Sequence, residues 1–313
     1  MATKSRRRRY KREKQTTRVV LQDRDRELFE LLDPHYGFKF LTTSWIAYLF
    51  GIYDDEYAYD GLQRRLAKLF HAGYLDRPER QRYSPNTNYK DFVYERADKA
   101  AHLVGSPAGV SHRSNSYPHE VLADLGYQAP LHAAAKAKGW ALIHAKTLMS
   151  GVTFKVHSKE GLRTLGFPES TRQSRTPFWG DMDMPPHLID RGDDLIFIPG
   201  IQVDRSTESL RNINPKDPKR TTLTKHLDEI ISFHQGKLFQ SHYGFSSAIY
   251  PVVTIDETHE LNARNYVQDR IGKCGYMVFK TVPDIAYLDH FPAPSAELIT
   301  TPWRRAGMPD FLF

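Results

Sequence analysis

A chain of 313 residues that is 40% apolar and 12% aromatic is long enough for two modest domains, each with its own core, and 19 Gly with 19 Pro set it apart from low-complexity proteins. Its one cysteine, Cys274, excludes an internal disulfide framework and any zinc site built on paired thiolates. The apolar runs fall short of the roughly 18 residues of a membrane span, and the first residues lack a signal peptide's apolar segment, so the expectation is a cytoplasmic, nucleoid-associated protein with no membrane partner.

The net charge of +7 is unevenly placed. Lys4, Arg6, Arg7, Arg8, Arg9, Lys11, Arg12, Lys14 and Arg18 against Glu13 give the first 18 residues a charge of +8, which leaves −1 for the other 295. Residues 1–18 therefore read as a disordered basic arm, too poor in apolar surface to fold, that neutralises phosphates whatever the base sequence. The four consecutive arginines, Arg6 to Arg9, suit a minor groove, and Lys11 and Arg12 join them as expected DNA contacts.

From Leu21, "LQDRDRELFELL" places Leu28, Phe29 and Leu32 on one helical face, with Asp23 and Asp25 in the first turn where the macrodipole favours acids. Pro34 and Gly37 stop this helix. "FLTTSWIAYLFG" opens a second helix after Leu41, with Thr42 as its cap and Ile46, Leu49 and Phe50 as its buried stripe. In "EYAYDGLQRRLAKLFHAGYLDR" a step of 100° per residue gathers Leu62, Leu66, Leu69 and Phe70 on one arc, with Tyr57, Asp60, Arg64, Lys68 and His71 opposite.

Two extended runs follow, "YLDRPERQRY" and "NYKDFVYER", joined by the turn residues "SPNTN". Three short helices followed by a basic hairpin predict a winged helix-turn-helix over residues 19–105. In that fold the third helix enters the major groove with Tyr57, Arg64, Arg65 and Lys68, while a wing bearing Arg77, Arg80, Arg82 and Lys90 lies on the adjacent backbone of double-stranded DNA. Glu56 and Asp60 dilute the basic face, and a winged helix that adapts one protein to another is the alternative use of the same elements.

Residues 106–117 read as a linker, and the pattern then becomes mixed α/β over 118–290, with a C-terminal tail at 291–313. A helix is expected over about 118–137, a strand in "WALIHAKTL", and a polar loop from about 157 to 180. "HLIDRGDDLIFIPGIQVDRS" reads as two strands around a turn, then come a helix near Thr221 to Gln235 and the strand "SAIYPVVTID". "ETHELNARNYVQDRIGKC" follows as a helix with Leu261 and Val267 inward, and "YMVFKTV" as a last strand. In the tail, Phe311, Leu312 and Phe313 are expected to pack.

Together "FLTTSWIAYLF", "LQRRLAKLFHAGYLDR", "FVYERADKAAHLVG", His119-Glu120 and "QVDRSTESL" ahead of a Lys-bearing helix resemble the replication-relaxation family, over roughly residues 20–255. The resemblance implies a mobile-element protein in which the winged helix precedes a mixed-sheet restriction-endonuclease-like domain of the PD-(D/E)XK kind. That fold gathers a helix Glu, a Pro-Asp pair and a strand acid around Mg²⁺ or Mn²⁺, hard cations that demand several oxygen ligands. Carried across, Glu120 matches the helix acid, but the Pro-Asp position reads Pro186-His187 and the strand position reads Gln202, with Asp204 two residues on.

With two carboxylates missing, the implied domain is degenerate and holds no cofactor. The expected function is duplex-DNA binding in transcriptional or replication control, as a homodimer or beside the transcription or replication machinery. A metal-dependent DNA endonuclease is the alternative, with Glu120, Asp204 and Lys225 as residual catalytic candidates and Asp190 or Asp194 as a further acid. "GFSSA" leads into a strand rather than out of one, unlike a nucleophile elbow. "GMPDF", with Asp310, has nothing after it to supply a second acid, and the 14 histidines lack metal spacing.

Overall fold

The computed structural model describes residues 12–13, 19–33, 38–78, 81, 91–105, 117–143, 153–158, 161–166, 187–205, 222–237, 239–240, 244–283 and 291–313. The chain is a mixed α+β protein with a five-stranded mixed sheet. It divides into two compact units, one of residues 1–129 with 287–295 and one of residues 130–286 with 296–313.

The first unit opens with α1 (Asp23–Leu31), whose Leu28 and Phe29 are buried along with the capping Leu32. Gln22 N–H donates to the Asp25 carboxylate at 2.7 Å, which closes the first turn. Strand β1 (Leu41–Thr42) leads straight into α2 (Thr43–Leu49), capped by Thr42 Oγ1 accepting from Trp45 N–H at 3.2 Å. The buried stripe of α2 is wider than the periodicity suggests, because Trp45 and Ala47 join Ile46 while Leu49 and Phe50 are half-buried.

Helix α3 (Glu56–His71) starts on the Asp55 carboxylate, which accepts from Ala58 N–H, and it buries Leu62, Leu66, Leu69 and Phe70. The chain then forms β2 (Leu75–Asp76), β3 (Val93–Arg96) and α4 (Asp98–Leu103). β3 pairs antiparallel with β2 on one side and β1 on the other. The short β1 carries no alternation from which sequence could have read it. Arg80, Arg82, Lys90 and the turn "SPNTN" lie outside the described residues.

α5 (Tyr117–Ala123) continues through one π turn, Asp124–Gln128, into α6 (Ala129–Lys138). The Asp124 carboxylate accepts from the backbone N–H of Phe40 at 2.8 Å and of Lys39 at 3.1 Å. These bonds tie the helix to the first unit, which runs to residue 129, whereas the sequence pattern assigns residues 118–129 to the second domain. The linker expected at 106–117 lies, apart from Tyr117, outside the described residues.

In the second unit β4 (Ala141–Ile143), β7 (His187–Asp190) and β8 (Leu195–Ile198) form an antiparallel sheet in the order β4-β7-β8. Strands β5 (Thr153–Ser158) and β6 (Gly161–Gly166) pair antiparallel, so part of the stretch expected as a loop is a hairpin. Its polar residues hid a strand signal that backbone pairing alone supports.

The larger sheet runs β13-β12-β11-β10-β9. β9 (Gln202–Asp204), β10 (Tyr250–Thr254) and β11 (Met277–Thr281) are parallel neighbours, joined by α7 (Leu223–Gln235) and α8 (Glu257–Ile271). Right-handed crossovers between adjacent strands put both helices on one face, where Leu227, Ile230 and Phe233 of α7 and Ala263 and Val267 of α8 meet Val252 and Phe279. On α8 the expected inward Leu261 is 44% exposed and Glu260 is buried in its place. Its carboxylate pairs with Arg264 at 3.0 Å and Arg304 at 2.8 Å, and these two charges allow the acid inside.

The C-terminal residues form the short helix α9 (Glu297–Thr300) and a hairpin of β12 (Trp303–Arg305) and β13 (Met308–Phe311) that extends the sheet antiparallel; of the three expected to pack, Phe313 is buried against Trp303 and Phe311, while Leu312 is exposed. Gly307, at φ +63°, makes the turn between them, and a Cβ built there would stand 3.2 Å from the Gly272 carbonyl oxygen, so both the backbone conformation and the tight contact favour glycine.

Burial pushes the Asp124 carboxyl up to about 8, against its bonds from Phe40 and Lys39. Between the unfolded value near 4 and about 8 the folded state binds the extra proton, so its contribution to stability is full at pH 4 and is lost as pH rises through 8. Urea midpoints measured from pH 5 to pH 8 should fall more steeply in the wild-type protein than in Asp124→Asn; parallel profiles would refute this.

Candidate nucleic-acid interface

The exposed face of α3 carries Glu56, Tyr57, Asp60, Gln63, Arg64 and Lys68, and Tyr57 stands 83% exposed. Spacings of three and four residues keep this set on the side opposite Leu62, Leu66 and Leu69. Arg64 Nε donates to the Asp60 carbonyl at 3.3 Å, which leans its side chain along the helix while the guanidinium stays exposed. Gln63 is exposed as well, although the 100° step puts it beside Phe70 at the edge of the buried arc, so periodicity alone gives no reason to include it. Arg24 of α1 likewise joins Tyr57, Arg64 and Lys68 around a cleft of about 540 Å³.

Arg65 points the other way. Its Nε donates to Asp25 Oδ1 at 2.9 Å, Nη2 pairs with Asp25 Oδ2 and also donates to the Val20 carbonyl at 2.7 Å. Asp25 is 3% exposed, so Arg65 is the counter-ion that admits a buried carboxylate and ties α1 to α3. Its hydrogen bond to Asp25 holds the guanidinium above its usual range.

Arg77 is also internal. Its guanidinium lies 3.9 Å from the Phe92 ring, 4.4 Å from Phe70 and 5.1 Å from Tyr94, and donates to the Tyr94 hydroxyl at 2.9 Å. The expectation that it lies on a DNA backbone gives way to a role at the root of the β2–β3 pair. Nearby, the Asp91 carboxylate accepts from Ser44 N–H at 3.1 Å and from the Tyr59 hydroxyl at 3.2 Å, which joins α2 to α3. Burial, then the Asp91 charge, raises the Tyr59 phenol to about 12, so it remains a donor.

Of the basic arm, Arg12 and Glu13 are described, and Arg12 is seated on the C-terminal end of α3. Arg6, Arg7, Arg8, Arg9 and Lys11 lie outside the described residues.

The carboxylates considered for metal chemistry have other partners. Glu120, in the first unit, accepts from Lys39 Nζ at 2.6 Å. Asp204, at the C-terminal end of β9, is 2% exposed and bonded to His259 Nδ1. Asp190 accepts from Gly192 N–H at 2.8 Å and Asp194 from Leu195 N–H at 2.9 Å, both within the β7–β8 turn. Lys225 stands 3.9 Å from Glu229 on its own helix. Gln202 and His187 are buried in β9 and β7. Among the described residues no group of three His, Cys, Asp or Glu side chains is placed to hold a metal ion, and this donor set does not fit Mg²⁺. No helix among them is long and apolar enough to cross a membrane.

Compared with family models, with curated proteins and with solved structures, the chain finds no match.

Adjacent arginines should thus behave differently. Arg65→Ala leaves Asp25 buried without its counter-ion and should cost about 3 kcal/mol of unfolding free energy, whereas Arg64→Ala should stay within about 0.5 kcal/mol of wild type. Equal urea midpoints for the two variants would contradict the division.

Proposed function

We propose that the first unit is a winged helix-turn-helix that binds duplex DNA, and that the protein regulates transcription or replication of a mobile element. The observation that carries this reading is the order α1-β1-α2-α3-β2-β3, with β3 paired between β1 and β2, and with the exposed face of α3 left to Tyr57, Asp60, Gln63, Arg64 and Lys68. A helix whose apolar side is fully used and whose other side offers hydrogen-bonding and cationic groups suits the edges and backbone of a major groove. The arm, with most of the excess positive charge, adds affinity that does not depend on sequence.

In this reading α3 lies in the groove, Arg64 and Lys68 approach a base edge and a phosphate, and Tyr57 packs against the sugar-phosphate chain. The resemblance to the replication-relaxation family carries the link to mobile elements and the restriction-endonuclease-like assignment of the second unit. That unit, with Asp204 engaged by His259, serves as a frame for assembly or docking and leaves DNA intact.

Fluorescence anisotropy with random duplex and with fragments of the protein's own locus tests this, the same samples being run on a denaturing gel with and without Mn²⁺. Arg64→Ala should cost about 1 to 3 kcal/mol of binding to the preferred fragment and leave the DNA uncut. Binding that is insensitive to salt would remove the DNA reading, and Mn²⁺-dependent fragments that disappear in Asp204→Ala would make the second unit a nuclease.

A further inference from the structure

Arg12 makes more contacts than a solvated tail residue needs. Its Nε donates to the Phe70 carbonyl at 3.1 Å, and its Nη2 donates to the Leu75 carbonyl at 3.3 Å and pairs with Asp76 at 2.5 Å. The guanidinium also lies 5.7 Å from the Phe70 ring. The next residue continues the attachment, Glu13 N–H donating to His71 Nδ1 at 3.0 Å. Burial lowers the His71 pKa, and the nearby Arg77 charge adds to this, so the ring stays neutral and can accept.

These partners lie 58 to 64 residues away in the chain, and all belong to the last turn of α3 or to β2. Phe70 O is among the last carbonyls of the helix, where a cation is favoured both by the hydrogen bond and by the macrodipole. A fork of parallel donors suits the three acceptors in a way that a lysine's single ammonium would not. Further along the chain the Val20 carbonyl is held by Arg65, six residues before His71 on α3 and about 9 Å back along its axis.

We infer that Arg12 anchors the basic arm at the junction of α3 and β2, so that residues 1–11 engage the minor groove on the wing side of the major groove that α3 enters. The inference rests on the DNA-binding reading above. Six cations, Lys4, Arg6, Arg7, Arg8, Arg9 and Lys11, precede the anchor. Eleven residues span at most about 40 Å when extended, close to the roughly 34 Å of one duplex turn. Arg12 is thus a positioning residue, and Asp76 works with it although its own charge opposes DNA.

That opposition in sign gives the test. Hydroxyl-radical footprints and affinities would be measured with the full-length wild type, Asp76→Ala, Arg12→Ala and Arg8→Ala on the preferred duplex. On charge alone Asp76→Ala tightens binding; with the anchor it weakens binding about 3- to 10-fold and shortens the protected backbone on the wing side. Arg12→Ala should shorten it equally, while Arg8→Ala loses affinity and keeps the full footprint. In the free protein, exchange of the Glu13 amide should be slow in wild type and fast in Asp76→Ala.

Tighter binding by Asp76→Ala with an unshortened footprint would overturn the anchor and leave the DNA reading standing. Failure of the wild type to bind any duplex would overturn that reading itself, whatever the Glu13 amide shows.

Discussion

The first unit is organised around a charge that cannot be neutralised. Arg77 sits inside it at 8% exposure, and a guanidinium keeps its proton at any physiological pH, so desolvating it costs several kcal/mol that the surroundings must return. Three ring faces and one hydroxyl do so. Phe70 comes from the end of α3, Phe92 from the approach to β3, and Tyr94 from β3 itself. A single side chain therefore joins the end of α3 to the β2–β3 pair. The Asp33–Arg96 pair, 2.9 Å apart and nearly without exposure, does comparable work between α1 and β3.

The second unit spends its acids in the same way. Glu260 stitches α8 to β12 through Arg304, and Asp204 holds His259 in the first turn of α8. Tyr266 donates to Asp228 at 2.7 Å and joins the two crossover helices. A restriction-endonuclease-like active site needs carboxylates whose lone pairs face a cation. The acids of the second unit face arginine, histidine, tyrosine or turn amides instead.

Regular periods made much of this legible. The buried arc of α3 and the inward residues of α1 follow from 3.6-residue spacing, and the caps Thr42, Asp55, Thr222 and Asp256 occupy the positions helix starts require. What sequence could not show was the partner of each charge. Arg64 and Arg65 are neighbours with the same chemistry, yet the acid that separates their fates lies 40 residues upstream. Asp204 meets His259 at a separation of 55, and Arg12 meets Phe70 at 58. Short strands were also hidden: β1 has two residues, and β12 and β13 are interrupted by Gly307 and Pro309, which break the apolar run that marks an interior strand.

Pro309 has a consequence for how copies of the chain can meet. It lies in β13, the outer strand of the five-stranded sheet, where every other residue type would add an amide to a row open to a neighbour. Proline has none, and its carbonyl is already taken by Arg305 Nε at 2.6 Å. The border is thus blunted against strand addition from a neighbouring chain. Two copies that meet at this edge would have to join through side chains, at a surface that can release them again.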